Sequence, residues 1–387
     1  MAFCRILFVE LLGGIGDLVI ALPAIRAVAR SHPHAHITVL TFTPSGELLE
    51  ADPYIDRILY AEKGQARQAV ETILAQESFD LIVSDTNYDG IANLIQQSQT
   101  QKTITNLWRS PPPNERVSDR FLKILQTEGI ISANTAQPHE PQINITPTER
   151  SIVRSTLGAL YQPVIVLCPD AGMDIKRWPA ANFIAVGQAL QQQFGASIIV
   201  VAGADPEQAE SIAEAIGNPA QVWQRGTLRH LAAMIAETNL VIAADTGIAH
   251  IAAALNVPTL TLFGPSWHGR YGHPSPHINL QGYPACPDRH IQNFTEQRCW
   301  YSGHCPFEWH TCLEAIPVTT VLESAKTLLQ LPTFHLPPPP PAPRQHRRCH
   351  HDQPRPSYPP RKPAHHPYHP DGKPRRSLNI SFTALDR

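Results

Sequence analysis

The stretch from Asn239 to Pro265 constrains the fold most. An apolar, strand-like run, Asn239 to Ala244, leads into Asp245-Thr246-Gly247-Ile248-Ala249-His250. An Ala-rich helical run, Ile251 to Leu255, follows, and then a second strand-like run, Pro258 to Phe263, ending in Gly264-Pro265. A small polar turn containing glycine, between the end of a strand and the start of a helix, is where open α/β sheets bind ligands. Unpaired N–H groups and the helix dipole there suit a phosphate or diphosphate. The same residues also read as an ordinary N-cap, with Asp245 or Thr246 satisfying orphan N–H groups.

The alternation extends through the chain. Arg5 to Leu11, Ile37 to Phe42 and Leu81 to Ser84 read as strands. Asp17 to Arg30 is amphipathic, with Leu18, Leu22, Ile25 and Ala29 at helical spacing. Pro111-Pro112-Pro113 marks a loop, and the polar, proline-punctuated stretch from Pro138 to Pro147 reads as a linker. A helix from Thr148 to Ala159 then leads to four more strands: Val164 to Cys168, Ser197 to Val201, Leu240 to Ala244 and Thr259 to Phe263. Helices are expected at Ala180 to Gln193, with Pro179 at its first position, and at Pro206 to Ile216, Leu228 to Glu237, Gly247 to Leu255 and Thr319 to Leu331. Strands alternating with helices imply parallel sheets covered by helices. At 387 residues and 42% hydrophobic content, two domains with a core each are expected.

The net charge of −2 conceals an asymmetry. From Pro337 onward there are ten Lys and Arg against three Asp and Glu, so the preceding 336 residues carry −9. An acidic body argues against nucleic-acid binding by the globular part. The last 51 residues hold 14 prolines, five of them consecutive from Pro337 to Pro341. That composition predicts a disordered tail, either inert, or binding metal through its histidines, or touching anionic lipid through its arginines. No uncharged stretch is long enough to span a membrane. Ile6 to Ala24 is apolar, but Glu10 and Asp17 interrupt it, so it reads as strand, glycine turn and helix rather than a signal peptide. Cytoplasmic residence is expected, with peripheral contact at the inner membrane face if the acceptor is lipid-linked. Cys286, Cys299, Cys305 and Cys312 cluster, with His304 and His310 among them. Their spacing lacks paired C-x-x-C knuckles, which leaves a metal site, disulfides and free packed thiols all open.

Three more stretches join the Asp245–His250 turn. They are Leu12-Gly13-Gly14-Ile15-Gly16-Asp17, then Pro169-Asp170-Ala171-Gly172-Met173-Asp174-Ile175-Lys176-Arg177-Trp178-Pro179, and Val200-Val201-Ala202-Gly203-Ala204-Asp205. In this order and spacing the four resemble the heptosyltransferase family, glycosyltransferase family nine. The resemblance runs from about residue 5 to about residue 330. It implies transfer of a sugar, by default heptose from ADP-heptose, to a glycan or lipid-linked acceptor of lipopolysaccharide, with inversion and no cofactor. It also implies the GT-B architecture: two Rossmann-like domains facing a central cleft. The expected domains are residues 1–147 on the acceptor side, 148–336 on the nucleotide-sugar side, and the tail 337–387. The last helix, Thr319 to Leu331, would pack back toward the first domain.

Sugar transfer needs a base for the acceptor hydroxyl and preorganised donors for the departing diphosphate. Asp17 is the candidate base, as the matching family residue is proposed to be, although it also reads as an N-cap. Gly14 and Gly16 would shape the acceptor side. Leu11 stands where family members often carry Lys or Arg. Lys176 falls in the Lys-x-Trp-Pro motif whose Lys contacts the donor in the family, and Arg177 is a second candidate counter-charge. Trp178 reads as a packing residue. Thr246, Gly247 and Ile248 would offer backbone N–H groups to the diphosphate, Asp245 would accept from sugar hydroxyls, and His250 would reach a phosphate oxygen. Gly203 would line the nucleotide pocket, and Gly264-Pro265-Ser266 would face the same cleft. No Asp-x-Asp occurs, so no carboxylate pair of that kind is available for a divalent ion, and metal-independent transfer is expected.

Two rival readings stand beside this one. A nicotinamide dehydrogenase is disfavoured because Val19 occupies the third glycine position of G-x-G-x-x-G and no acidic residue follows a second strand at the ribose position. A non-catalytic nucleotide-sugar or glycan-binding protein is disfavoured by the joint presence of Asp17, Lys176, Asp245 and His250.

Overall fold

The structure is a computed structural model that describes residues 3–108, 112, 114–132, 141–158, 160–224, 226–307 and 311–331. The expected tail from Pro337 onward, His310, most of the triple-proline loop and the start of the expected linker at Pro138 lie outside the described residues.

The chain first lays down β1 (Arg5–Val9), α1 (Ile15–Ser31), β2 (His36–Phe42), β3 (Arg57–Ala61), α2 (Ala66–Gln76), β4 (Leu81–Ser84), α3 (Ile91–Gln96), β5 (Lys102–Ile104) and α4 (Val117–Thr127). Their strands form a parallel sheet in the order β3-β2-β1-β4-β5. Next come α5 (Pro147–Leu157), β6 (Val164–Cys168), α6 (Ala180–Phe194), β7 (Ser197–Val201), α7 (Pro206–Ile216), β8 (Ala220–Trp223), α8 (Leu228–Ile235), β9 (Leu240–Ala244), α9 (Gly247–Ala254), β10 (Thr259–Phe263), α10 (His268–Tyr271), β11 (Ile278–Gln281), α11 (Arg298–Ser302) and α12 (Val318–Leu329). The second parallel sheet is ordered β11-β10-β9-β6-β7-β8. In both sheets the order reverses beside the first strand, and such switch points open a crevice at the carboxyl ends of the strands.

The central strands are buried on both faces, which is why they read as unbroken apolar runs. The four strands not expected from the sequence, β3, β5, β8 and β11, are the four sheet edges. They are short and mostly half-buried, so their apolar signal is weak. Pro179 is the N-cap of α6 rather than its first helical residue.

Two separate cores were expected, but the packing is different. On β1, Leu7 and Val9 face one outer core with Val70, Ile73, Ile91 and Ile95. On β6, Ile165 and Leu167 face a second outer core with Phe183, Val186 and Ile212. The alternate residues Ile6 and Phe8, and Val164 and Val166, belong to one central core that also takes in Leu18, Leu22, Ile25, Met234, Ile251 and Val257. The two sheets are thus joined by a shared apolar layer in which α1 packs along α9. The last helix does not return to the first sheet: α12 buries Val321, Ala325 and Leu328 against α6, β9 and β10. Its apolar stripe matches the outer face of its own sheet.

Candidate active site

The turn after β1 carries Gly13, whose φ of +101° lies in the region glycine favours. Asp17 sits in the first turn of α1, and its Oδ2 accepts from the Gly14 N–H at 3.0 Å. Oδ1 makes no hydrogen bond among the described residues. Burial pushes the Asp17 carboxyl above its ordinary range. The Gly14 N–H, His250 and Lys176 act against that rise, and Asp245 adds to it.

Across the cleft, Lys176 ends a short 3₁₀ turn after β6 and donates through Nζ to Asp245 Oδ2 at 2.9 Å and to the Asp245 carbonyl at 3.2 Å. His250 Nε2 lies 3.4 Å from Asp245 Oδ1, and Ser266 Oγ donates to Oδ2. Burial works to raise the Asp245 carboxyl, but Lys176, then His250 and Ser266, overcome it and hold the group well below the usual carboxylate range. Both Asp245 oxygens are therefore taken in the free protein, by the groups they orient. Trp300 lies under Lys176, its ring centroid 5.2 Å from Nζ, a cation–π contact on a residue that sequence reasoning missed.

Two glycines let the halves meet. A Cβ on Gly16 would come within 2.9 Å of His250 Cδ2, and one on Gly247 within 2.8 Å of Ile15 Cβ. The N-termini of α1 and α9 therefore touch, which brings Asp17, Lys176, Asp245 and His250 into one site. Thr246 is the N-cap of α9 but makes no side-chain cap, and its Oγ1 is buried without a partner among the described residues. Ile248 packs against the central core.

The remaining candidates lie further out. Arg177 pairs with Asp170 at 2.7 Å and Asp174 at 2.8 Å, so its charge is engaged locally. Gly203 leaves room for Asp170, whose carboxylate accepts from the Ala204 N–H. Trp178 is buried against Phe183 and donates to the Ile316 carbonyl, a packing role as expected. Cys286, Cys299, Cys305 and Cys312 line one small cavity beside Arg289 and are unbridged. Burial raises the Cys299 thiol and pushes Cys312 up to about 12. Behind His250, a cavity of about 640 Å³ opens between α1, α4 and the 271–277 segment, with Arg30, Arg116, Arg270, His273 and His277 in its wall.

Sequence reasoning also passed over Glu10 and Asp85, two buried carboxyls at the ends of β1 and β4. A lone acid closing an apolar strand was the signal available for Glu10.

Two parallel α/β sheets, joined across a cleft that holds an acid, a lysine and a helix N-terminus, have the GT-B architecture. The sequence matches glycosyltransferase family 9 (heptosyltransferase) over residues 109–297. It is 27% identical over 282 residues to lipopolysaccharide heptosyltransferase 3 of Escherichia coli, covering 65% of this chain and 82% of that one. The fold is similar to that of a family 9 glycosyl transferase from Veillonella parvula, with a TM-score of 0.68, 20% identity, and coverage of 85% of this chain and 98% of that one. It is also similar to E. coli ADP-heptose lps heptosyltransferase II, with a TM-score of 0.62, 18% identity, and coverage of 84% and 98%. The chain is thus similar to glycosyltransferase family 9 in sequence over that span and in fold over both sheets.

Proposed function

We propose that this protein transfers a heptosyl group from ADP-heptose to a hydroxyl of a lipopolysaccharide core acceptor, at the cytoplasmic side of the membrane. The observation that carries this reading is the meeting of Asp17 with the Lys176–Asp245–His250 cluster across the cleft. Asp17 takes the proton from the acceptor hydroxyl. The acceptor oxygen forms its bond to the anomeric carbon from the face opposite the leaving group. The bond from that carbon to the diphosphate oxygen breaks, and ADP departs with the electron pair. The product is inverted at the anomeric centre.

Asp17 suits its task because its raised proton affinity makes it a stronger base while its free Oδ1 can reach a substrate hydroxyl. Lys176 meets the charge that develops on the diphosphate, and the N–H groups at Thr246, Gly247 and Ile248 present the positive end of α9. Asp245 positions Lys176 and His250 and then shares them with the incoming diphosphate. Arg177 and Gly203 border the nucleotide side, and Gly14 and Gly16 shape the acceptor side. No helix among the described residues is long and apolar enough to cross a membrane, so membrane contact by that part would be peripheral.

The test is turnover of ADP-heptose with a heptose-free core acceptor. Transfer with release of ADP is expected, and it should persist in excess chelator because Lys176 and helix N–H groups do the work of a divalent ion. Loss of activity in chelator, restored by magnesium or manganese, would overturn the metal-independent step. Tight ADP-heptose binding with no consumption of the donor would favour a non-catalytic binder.

A further inference from the structure

The cavity behind His250 is not used by the reaction above. Of the residues assigned to transfer, only His250 lines it; Asp17, Lys176 and Asp245 do not. Its volume of about 640 Å³ is that of a small-molecule site. Ile20 and Pro23 of α1, Leu122 of α4, and Ala253 and Ala254 of α9 make much of its wall apolar. The 270–277 segment supplies basic groups that lack partners. Arg270 is 2% exposed. Its Nη1 donates to the carbonyls of Glu115 at 2.8 Å and Pro112 at 3.3 Å, while Nε is buried with no partner. No carboxylate pairs with it among the described residues: that of Glu115 goes to Lys123 at 3.2 Å and Arg120 at 3.5 Å. Asp119, the one acid in the cavity wall among the described residues, is held by Arg116 at 2.7 Å. His273 Nε2 and His277 Nδ1 are also buried with no partner. Their ring centroids are 5.8 Å apart, and His273 meets His250 edge-on at 4.8 Å.

We propose that this cavity binds an anionic amphiphile, a phosphate monoester on an apolar tail, with Arg270, His273 and His277 holding the phosphate and the α1–α9 side holding the tail. A buried guanidinium without a counter-ion and two orphaned ring nitrogens are costly when left alone. One oxyanion satisfies all three. The guanidinium donates from its planar fork, and each neutral imidazole donates its single N–H. Burial holds both rings below the ordinary histidine range, His277 down to about 4, so they are neutral donors in the free protein. Three donor side chains match the several oxygens of a phosphate better than the two of a carboxylate. The apolar wall then asks for a tail, since a bare phosphate leaves it bathed in water. The site stands apart from the transfer reaction and does not rest on it; His250 alone borders both.

The experiment titrates octyl phosphate, below its micellar concentration, into the full chain by calorimetry, with octanol and inorganic phosphate as the two halves of the probe. Saturable binding of a single octyl phosphate is expected, with each half at least about tenfold weaker. Arg270→Gln should weaken octyl phosphate by about 10–100-fold, the range for a hydrogen bond to a charged group. Ala253→Phe places a ring in the apolar part of the cavity and should weaken it by about tenfold, whether or not the Arg270 variant folds. No saturable binding of octyl phosphate, or an affinity that the folded variants leave unchanged, would overturn the site. Inorganic phosphate binding as tightly as octyl phosphate, or no effect of Ala253→Phe, would overturn the tail. Octanol binding as tightly, or no effect of Arg270→Gln, would overturn the anion.

Discussion

Asp245 is buried and Asp17 half-buried in one cleft, and their surroundings push the two carboxyls in opposite directions. Lys176, His250 and Ser266 surround Asp245 and hold it ionised. Asp17 has one backbone N–H and a raised proton affinity. Such a separation is what the proposed roles, a fixed counter-ion and a base, require. Asp17→Asn should lower kcat by about 10²–10⁴-fold while leaving ADP affinity within a few-fold of wild type, as measured by calorimetry. A normal kcat would remove Asp17 from the mechanism. For Asp245 the sign is that of a depressed carboxyl: its stabilisation is present above the ordinary Asp value of about 3.9 and is lost as pH falls below it. Asp245→Asn should therefore flatten acid unfolding below pH of about 4 and weaken ADP binding, since Lys176 and His250 lose their anchor. An acid-unfolding profile identical to wild type would count against the ion cluster. These residues were legible because each sits in a glycine-marked turn at a strand end. Glu10 and Asp85 were not, because each alone is one acid at the end of an apolar run.

At the scale of elements, the contact between α1 and α9 carries the site. Gly247→Ala would drive a methyl into Ile15, and overpacking of this kind costs about 1–3 kcal/mol. Chemical denaturation should show that loss, together with reduced turnover, because Gly16 and His250 share the same contact. Unchanged stability would mean that the two helix starts have slack. A second joint lies at α5. Thr146 caps it by accepting from the Glu149 N–H, and Glu149 reaches back to the Thr146 N–H and pairs with Arg229 of α8 at 2.6 Å. Thr146→Ala should cost about 1 kcal/mol in unfolding. The sequence pattern starts this helix at Thr148, so both the Thr146 cap and its link to Arg229, 80 residues from Glu149, were missed. The missed edge strands teach the same lesson: a strand with one neighbour buries too little to leave a clear pattern.

For the whole molecule, the shared central layer couples ligand binding to the stability of both sheets. Saturating ADP at about 100 times its Kd should stabilise the native state by about 2.7 kcal/mol, read as one upward shift of a single unfolding transition. Two transitions, only one of them shifted, would mean that the sheets unfold independently. The amino-acid order by itself determined the α/β class, the central strands, the glycine turns and the types of residue at the strand ends. These are local properties, written in runs of a few residues. The tertiary structure alone decided that the two halves share a core, that α12 stays on its own sheet, and which side chains meet. Lys176 and Asp245 are 69 residues apart, and Asp17 faces them from the other sheet. In a parallel sheet every neighbour arrives by a crossover of a dozen or more residues. The partners of a strand-end residue are therefore set by the order of strands and the packing of helices, and no local pattern in the sequence records either.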